Sequence, residues 1–151
     1  MARGMLILFG LGTAASFALP SAAWTGFRNI KPEKAVIAAA KAGPEGVGGI
    51  FVMVVRGTGH QDGRFFLNSE TDYRDQRNLT IAMSDEMGAA IERKIGADSD
   101  DALIGRKIFV RGVAHRVKIS FTVDGRATDK YYYQTHVLVT TPVQVAVRDK
   151  L

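Results

Sequence analysis

The run Leu103-Ile-Gly-Arg-Lys-Ile-Phe-Val-Arg-Gly-Val-Ala-His-Arg-Val117 constrains this chain more than any other stretch. It predicts a long strand, Arg106 to about Phe121, that starts after a glycine turn at Gly105. Ile108, Val110, Val113, Val117 and Ile119 supply its apolar contacts. Gly112 falls inside it, and a glycine in mid-strand marks a bulge or a barrel corner. A chain that contains such a strand needs partners on both sides of the bend.

The flanking sequence supplies candidates. Pro32 suits the first position of a helix, because its missing N–H would be unsatisfied there anyway. Ala35, Val36, Ala39 and Ala40 give that helix a weak apolar face, and Gly43-Pro44 stops it. Glu45 to Gly49 reads as a glycine-rich joint. Ile50 to Val55 is a short β-branched apolar run, predicted to be a buried strand. Asp62-Gly63 is a hairpin signal, because both positions tolerate positive φ. It returns Arg64–Asn68 against the first strand. Leu79 to Met83 is the third strand.

Ser84 is an N-cap residue. Asp85 and Glu86 in the first turn, with Arg93 and Lys94 in the last, complement the helix dipole. Met87, Ile91 and Ile95 form the buried stripe of that helix, and Gly96 ends it. Asp124-Gly125 is a second hairpin signal. Tyr131 to Val139 is the last long strand, interrupted at Thr140-Thr141-Pro142 before Val143, Val145 and Val147 alternate.

Strand, strand, strand, helix, strand, strand is the order of the OB-fold, a small Greek-key barrel. Leu103–Val113 resembles the OB pattern in which a glycine-basic pair opens strand four and a second glycine bends it. His136 to Val145 is similar to the closing OB strand. The resemblance covers residues 46 to 148. It implies a mainly β fold with α: a five-stranded Greek-key barrel, a helix between strands three and four, and a short N-terminal helix. Leu67–Ile81 resembles exported bacterial OB proteins described as nucleic-acid-binding. The staphylococcal nucleases share the barrel. Asp62-Gly63-Arg64 matches part of their site, but the second metal-binding Asp expected soon after is not there.

Residues 1–23 read as a secretory signal peptide. Arg3 gives the positive start, Met5 to Leu19 the apolar run, and Ser21-Ala22-Ala23 the small residues before cleavage. The alternative is an uncleaved anchor, although the run is short for a span of ~20 residues. The expected organisation is therefore a signal peptide over 1–23, an extension with a short helix over 24–45, and an OB domain over 46–151. The expected location is periplasmic or secreted, with no stable membrane span after cleavage. There is no cysteine, so disulfides, thiol catalysis and Cys-based metal sites are excluded. The formal charge is +5, and removing Arg3 with the leader leaves +4. That permits a polyanion partner without demanding one.

Ten residues are candidates for ligand binding. Arg56, His60 and Arg64 surround the first hairpin; Tyr73, Arg74 and Arg77 sit in the polar segment Ser69–Asn78. Arg111, His115 and Arg116 follow one another on the long strand, and Tyr132 is the middle of three tyrosines. In the polar segment, arginines could hold phosphate and Tyr73 could stack on a base or sugar. Alternatively the loop is internally paired, its charges neutralising one another and its Asp and Asn side chains folding the turn. A calcium site from Glu70, Asp72 and Asp75 lacks the spacing of an EF-hand. His60, His115 and His136 lack the short spacing of a zinc site. Asn78-Leu79-Thr80 matches a glycosylation sequon at a strand start and reads as chance.

The expected function is a binding module without catalytic residues, cofactor or metal. Its first ligand class is single-stranded nucleic acid or another anionic polymer on a basic face. The alternatives are a periplasmic protein-interaction module and a divergent nuclease-like enzyme. The deciding feature is whether the arginines converge on one face or pair with Glu70, Asp72 and Asp75.

Overall fold

A computed structural model describes residues 29–150, with side chains to 148. The expected leader at 1–23 lies outside the described residues. The fold is mainly β with two α-helices. In chain order it runs β1 (Asn29–Ile30), α1 (Pro32–Ala42), β2 (Val47–Val54), β3 (Gly57–Gln61), β4 (Arg64–Asn68), β5 (Leu79–Ser84), α2 (Asp85–Lys94), β6 (Arg106–Val123), β7 (Arg126–Leu138) and β8 (Val145–Lys150). Short 3₁₀ turns cover Gly43–Glu45, Asp100–Leu103 and Pro142–Gln144. Among the described residues no helix is long and apolar enough to cross a membrane.

The strands form one mixed sheet in the order β1-β2-β6-β7-β5-β4-β3, with β8 paired to β6. This departs from the expected five-stranded closed ring, because among the described residues the ladder is an open path of seven strands with β8 added on β6. The break falls at Val55 and Arg56, where the expected strand Ile50–Val55 ends. Gly57–Gln61 is instead a strand of its own, and it, not Ile50–Val55, pairs with β4. The Val55 amide donates to the Arg106 carbonyl at 3.0 Å, and the Arg56 amide to the Asn68 carbonyl at 2.8 Å. The two residues therefore turn the chain from one end of the sheet path to the other.

β6 organises the sheet. Its first half pairs with β2 on one edge and β8 on the other. Its second half pairs only with β7. Gly112 marks the change: a Cβ built there would meet Val137 Cγ1 at 2.6 Å, so only glycine lets β7 cross this close. Beyond Arg116 and Gln134 the β6–β7 hairpin continues as a two-stranded ribbon to its turn, since β2 stops opposite Ala114 and β5 begins opposite Thr135. Eight residues, Arg116 to Val123, extend it by roughly 25 Å.

Both hairpin turns form as expected. Asp62 and Asp124 adopt φ of 51° and 49°, and the glycines after them 72° and 75°. Ser84 caps α2, its Oγ accepting from the Met87 amide at 3.1 Å. The core lies between the sheet and the two helices. Phe51, Phe65, Leu67, Leu79, Ile81, Ile108 and Val110 fill it, with Ala35 and Ala39 of α1 and Ile91 of α2 packed against them. Burying such side chains contributes roughly 1.5–3 kcal/mol each for the larger ones. Val143 was expected to continue a terminal strand. It lies in the last 3₁₀ turn and is 89% exposed.

Candidate functional site

The polar segment after β4 folds as two repeats of one device, Asp72-Tyr-Arg74 and Asp75-Gln-Arg77. In each, an Asp oxygen accepts from the backbone N–H two residues on, at 2.9 Å and 2.8 Å. The same carboxylate takes two bonds from the guanidinium of that residue. The arginine bonds hold both carboxyls below the usual range, Asp75 at about 2. Arg56 pairs with Glu70 at 3.5 Å. Three of the six candidate arginines are thus matched by nearby carboxylates, and Glu70, Asp72 and Asp75, weighed above as a calcium site, are all engaged by arginine.

Asn78 closes the loop from inside. Its Oδ1 accepts from Ser69 Oγ and from the Glu70 amide, while its Nδ2 donates to Asn68 Oδ1, Thr80 Oγ1 and the Tyr73 carbonyl. Asn78 is buried, so its amide belongs to the fold rather than to a glycan.

The other candidates fall in different places. Arg64 lies beside the first turn, and Arg111 stands on the first half of β6 opposite Ile50. His115 is opposite His136, which is almost wholly buried. Burial, with the nearby Arg64 charge, pushes the His136 imidazole down to about 4. Arg116 lies on the ribbon, over the Tyr133 ring at 4.2 Å. Lys118 lies over Tyr131 at 4.1 Å, and the two tyrosine rings meet edge to face at 5.5 Å. These four side chains share one ribbon face, the continuation of the core face of β6. Tyr131 and Tyr133 are 49% and 41% exposed, and both are additions to the predicted site. Tyr132 points to the opposite face, as strand alternation requires, against Phe121. Burial pushes its hydroxyl up, and that oxygen accepts from Gln134 Nε2 at 2.9 Å.

His60 forms a clasp. Its Nδ1 lies 2.6 Å from Asp85 Oδ1 and its Nε2 lies 2.7 Å from Asp100 Oδ2. Ionised carboxylates only accept, so both bonds are made at once only by the protonated ring, in which both nitrogens donate. The Asp85 bond, opposed by some burial and helped by Asp100, raises its pKa. Burial pushes Asp100 up, but bonds from Glu92 and His60 outweigh it and hold the carboxyl low. The ring also stacks on Phe65, 4.7 Å between centroids.

A groove of about 300 Å³ opens where β3, β4, β5 and β7 pass under the polar loop. Phe66, Asn68, Thr80, Gln134 and His136 line it, with Tyr73 over one side. Of the sequence candidates, only His60 and Tyr73 border it. Among the described residues no group of three or more His, Asp or Glu side chains is arranged to hold a metal ion.

No family model, curated protein or solved structure matches this chain.

Proposed function

We propose that this chain is an exported, non-catalytic module of OB type that binds a partner protein through the β6–β7 ribbon. The OB reading draws support from the order of elements and from the parallel pairing of β5 with β7. It also draws on the turn at Val55-Arg56, which makes β2 and β3 two halves of one bent segment. Export rests on the character of residues 1–23.

The observation that carries the protein-partner reading is the pairing of Arg56, Arg74 and Arg77 with Glu70, Asp72 and Asp75. A phosphate would have to displace a bidentate carboxylate at Arg74 and Arg77, and the loop from Glu70 to Arg77 carries more acidic than basic side chains. The ribbon, in contrast, leaves Tyr131 and Tyr133 exposed. Tyrosine and arginine are the side chains that anchor protein interfaces.

A second reading keeps a polyanion on the ribbon itself, favoured by Arg116 and Lys118 stacked on the same two tyrosines. Fluorescence anisotropy with labelled single-stranded oligonucleotides at low and moderate salt separates the two. The protein-partner reading expects no binding even at low salt, where phosphate contacts are strongest. It also expects envelope proteins cross-linked to the wild-type chain to be lost with Tyr131→Ser/Tyr133→Ser. Salt-sensitive oligonucleotide binding, or cross-links unchanged by the double substitution, would reject it.

A further inference from the structure

We infer that the groove beneath Tyr73 is a binding site for a single uncharged, hydroxyl-rich ring, a neutral saccharide unit. This site is separate from the ribbon and does not depend on the protein-partner reading. Its volume of about 300 Å³ lies at the small end of ligand pockets, enough for one ring.

The lining selects against charge. Amides and hydroxyls come from Gln61, Asn68, Thr80 and Gln134, and ring surfaces from Phe66 and Tyr73. His136 is neutral there, its burial opposing a charge. His60 borders the groove, but both of its ring nitrogens are held by Asp85 and Asp100. Arg64 acts on His136 without lining the groove. An anion therefore finds no cation in the lining offered to it, and a purely apolar ligand would strand the amides without water.

Asn68 points to what is bound. The residue is 7% exposed. Its Oδ1 accepts from both Asn78 Nδ2 and Thr80 Oγ1, which fixes which end of the amide is nitrogen. That Nδ2 donates to no group among the described residues, and Asn68 lines the groove. That nitrogen is open to solvent in the groove, so a ligand oxygen can take the place of water beside it. Gln134 is equally fixed, between Tyr132 and His136. The donors are thus held in place before a ligand arrives, and an aromatic ring stands ready for the C–H face of a sugar.

Gly59 provides the test. It lies opposite Phe66 on β3, lines the groove, and a Cβ built there meets nothing within 4 Å. Gly59→Val fills the groove while suiting the strand. The experiment follows amide and side-chain NH₂ resonances of the full chain on titration with N-acetylglucosamine and with methyl glucoside and methyl galactoside. At least one neutral sugar should shift the Asn68 and Gln134 side-chain signals, with Kd of about 1 mM. Tyr73→Ala should weaken it about tenfold and Gly59→Val should abolish it, with spectral dispersion retained in both. The inference is overturned if no neutral sugar shifts these signals at about ten times that concentration. It is also overturned if Gly59→Val binds as well as wild type, or if glucose 6-phosphate or a nucleoside binds more tightly than the neutral sugars.

Discussion

Replacing His60 with Gln should remove a stabilisation that depends on pH. The imidazolium ties β3 to the first residue of α2 and to the 3₁₀ turn at Asp100, through two bonds under 2.8 Å. The ring is 47% exposed, with Asp85 and Asp100 at 49% and 37%, so solvent screens both pairs. Exposed pairs contribute about 0.2–1 kcal/mol each, which puts the clasp at about 1 kcal/mol. For a domain of this size that is a change in Tm of about 4 °C.

The sign follows from the raised pKa of His60. The folded state holds the proton more tightly than the unfolded chain. The stabilisation is therefore complete below the unfolded value of about 6.5 and is lost as pH rises through the raised folded value. Asp100, held low, loses its contribution only at much more acid pH. Thermal unfolding of wild type and His60→Gln, followed by circular dichroism from about pH 5.5 to 9, measures the gap. It should be widest near pH 6 and shrink toward pH 9 to a constant remainder, the lost stacking on Phe65. A gap that is flat across this range, or that widens with pH, refutes the clasp.

Asn78→Ala should cost about 2–3 kcal/mol in urea unfolding, because it removes the acceptor of the Ser69 hydroxyl and the Glu70 amide and one of the donors to Asn68 Oδ1 and Thr80 Oγ1. An effect under about 1 kcal/mol would mean that the loop is held elsewhere. Gly88→Ala would help an isolated helix, yet here its Cβ would sit 2.4 Å from Phe65 Cδ1. It should destabilise by about 1–2 kcal/mol, and Phe65→Leu in the same chain should recover part of that loss, read by a double-mutant cycle. Gly112→Ala should lower Tm by several degrees, roughly 4–8 °C, through its clash with Val137, whereas Gly59→Ala should leave Tm within about 2 °C.

Local chemistry carried much of the fold into the sequence. Aspartate before glycine at 62–63 and 124–125 needs only its neighbours to turn, and the cap at Ser84 likewise. Gly112 signalled a special position, and the close passage of Val137 is its cause. β3 was not legible. Gly-Thr-Gly-His-Gln has little strand propensity of its own and is extended because β4 pairs with it. The polar loop could be read either as a phosphate-binding surface or as paired charges, since Asp-x-Arg spacing allows both until the backbone turns each Asp toward its own Arg. Tyr132 was placed on the correct alternation, yet its neighbours hold the exposed face. The groove was hidden because its lining comes from residues near 60, 67, 80 and 135, which only the sheet order brings together. His60 offered no hint of its partners, 25 and 40 residues away.

The uneven pairing of β6 divides one strand into two kinetic populations. Amides from Lys107 to Val110, and that of Ala114, lie between neighbours on both edges, so their exchange with deuterium requires the sheet itself to open. Those of the ribbon are held by β7 alone and can unzip from the Asp124-Gly125 turn inward while the core stays closed. Opening of that kind lies at the low end of the free-energy scale. A ligand gripping the ribbon would slow exchange there and leave the root of the strand untouched, which makes β6 its own internal control for binding.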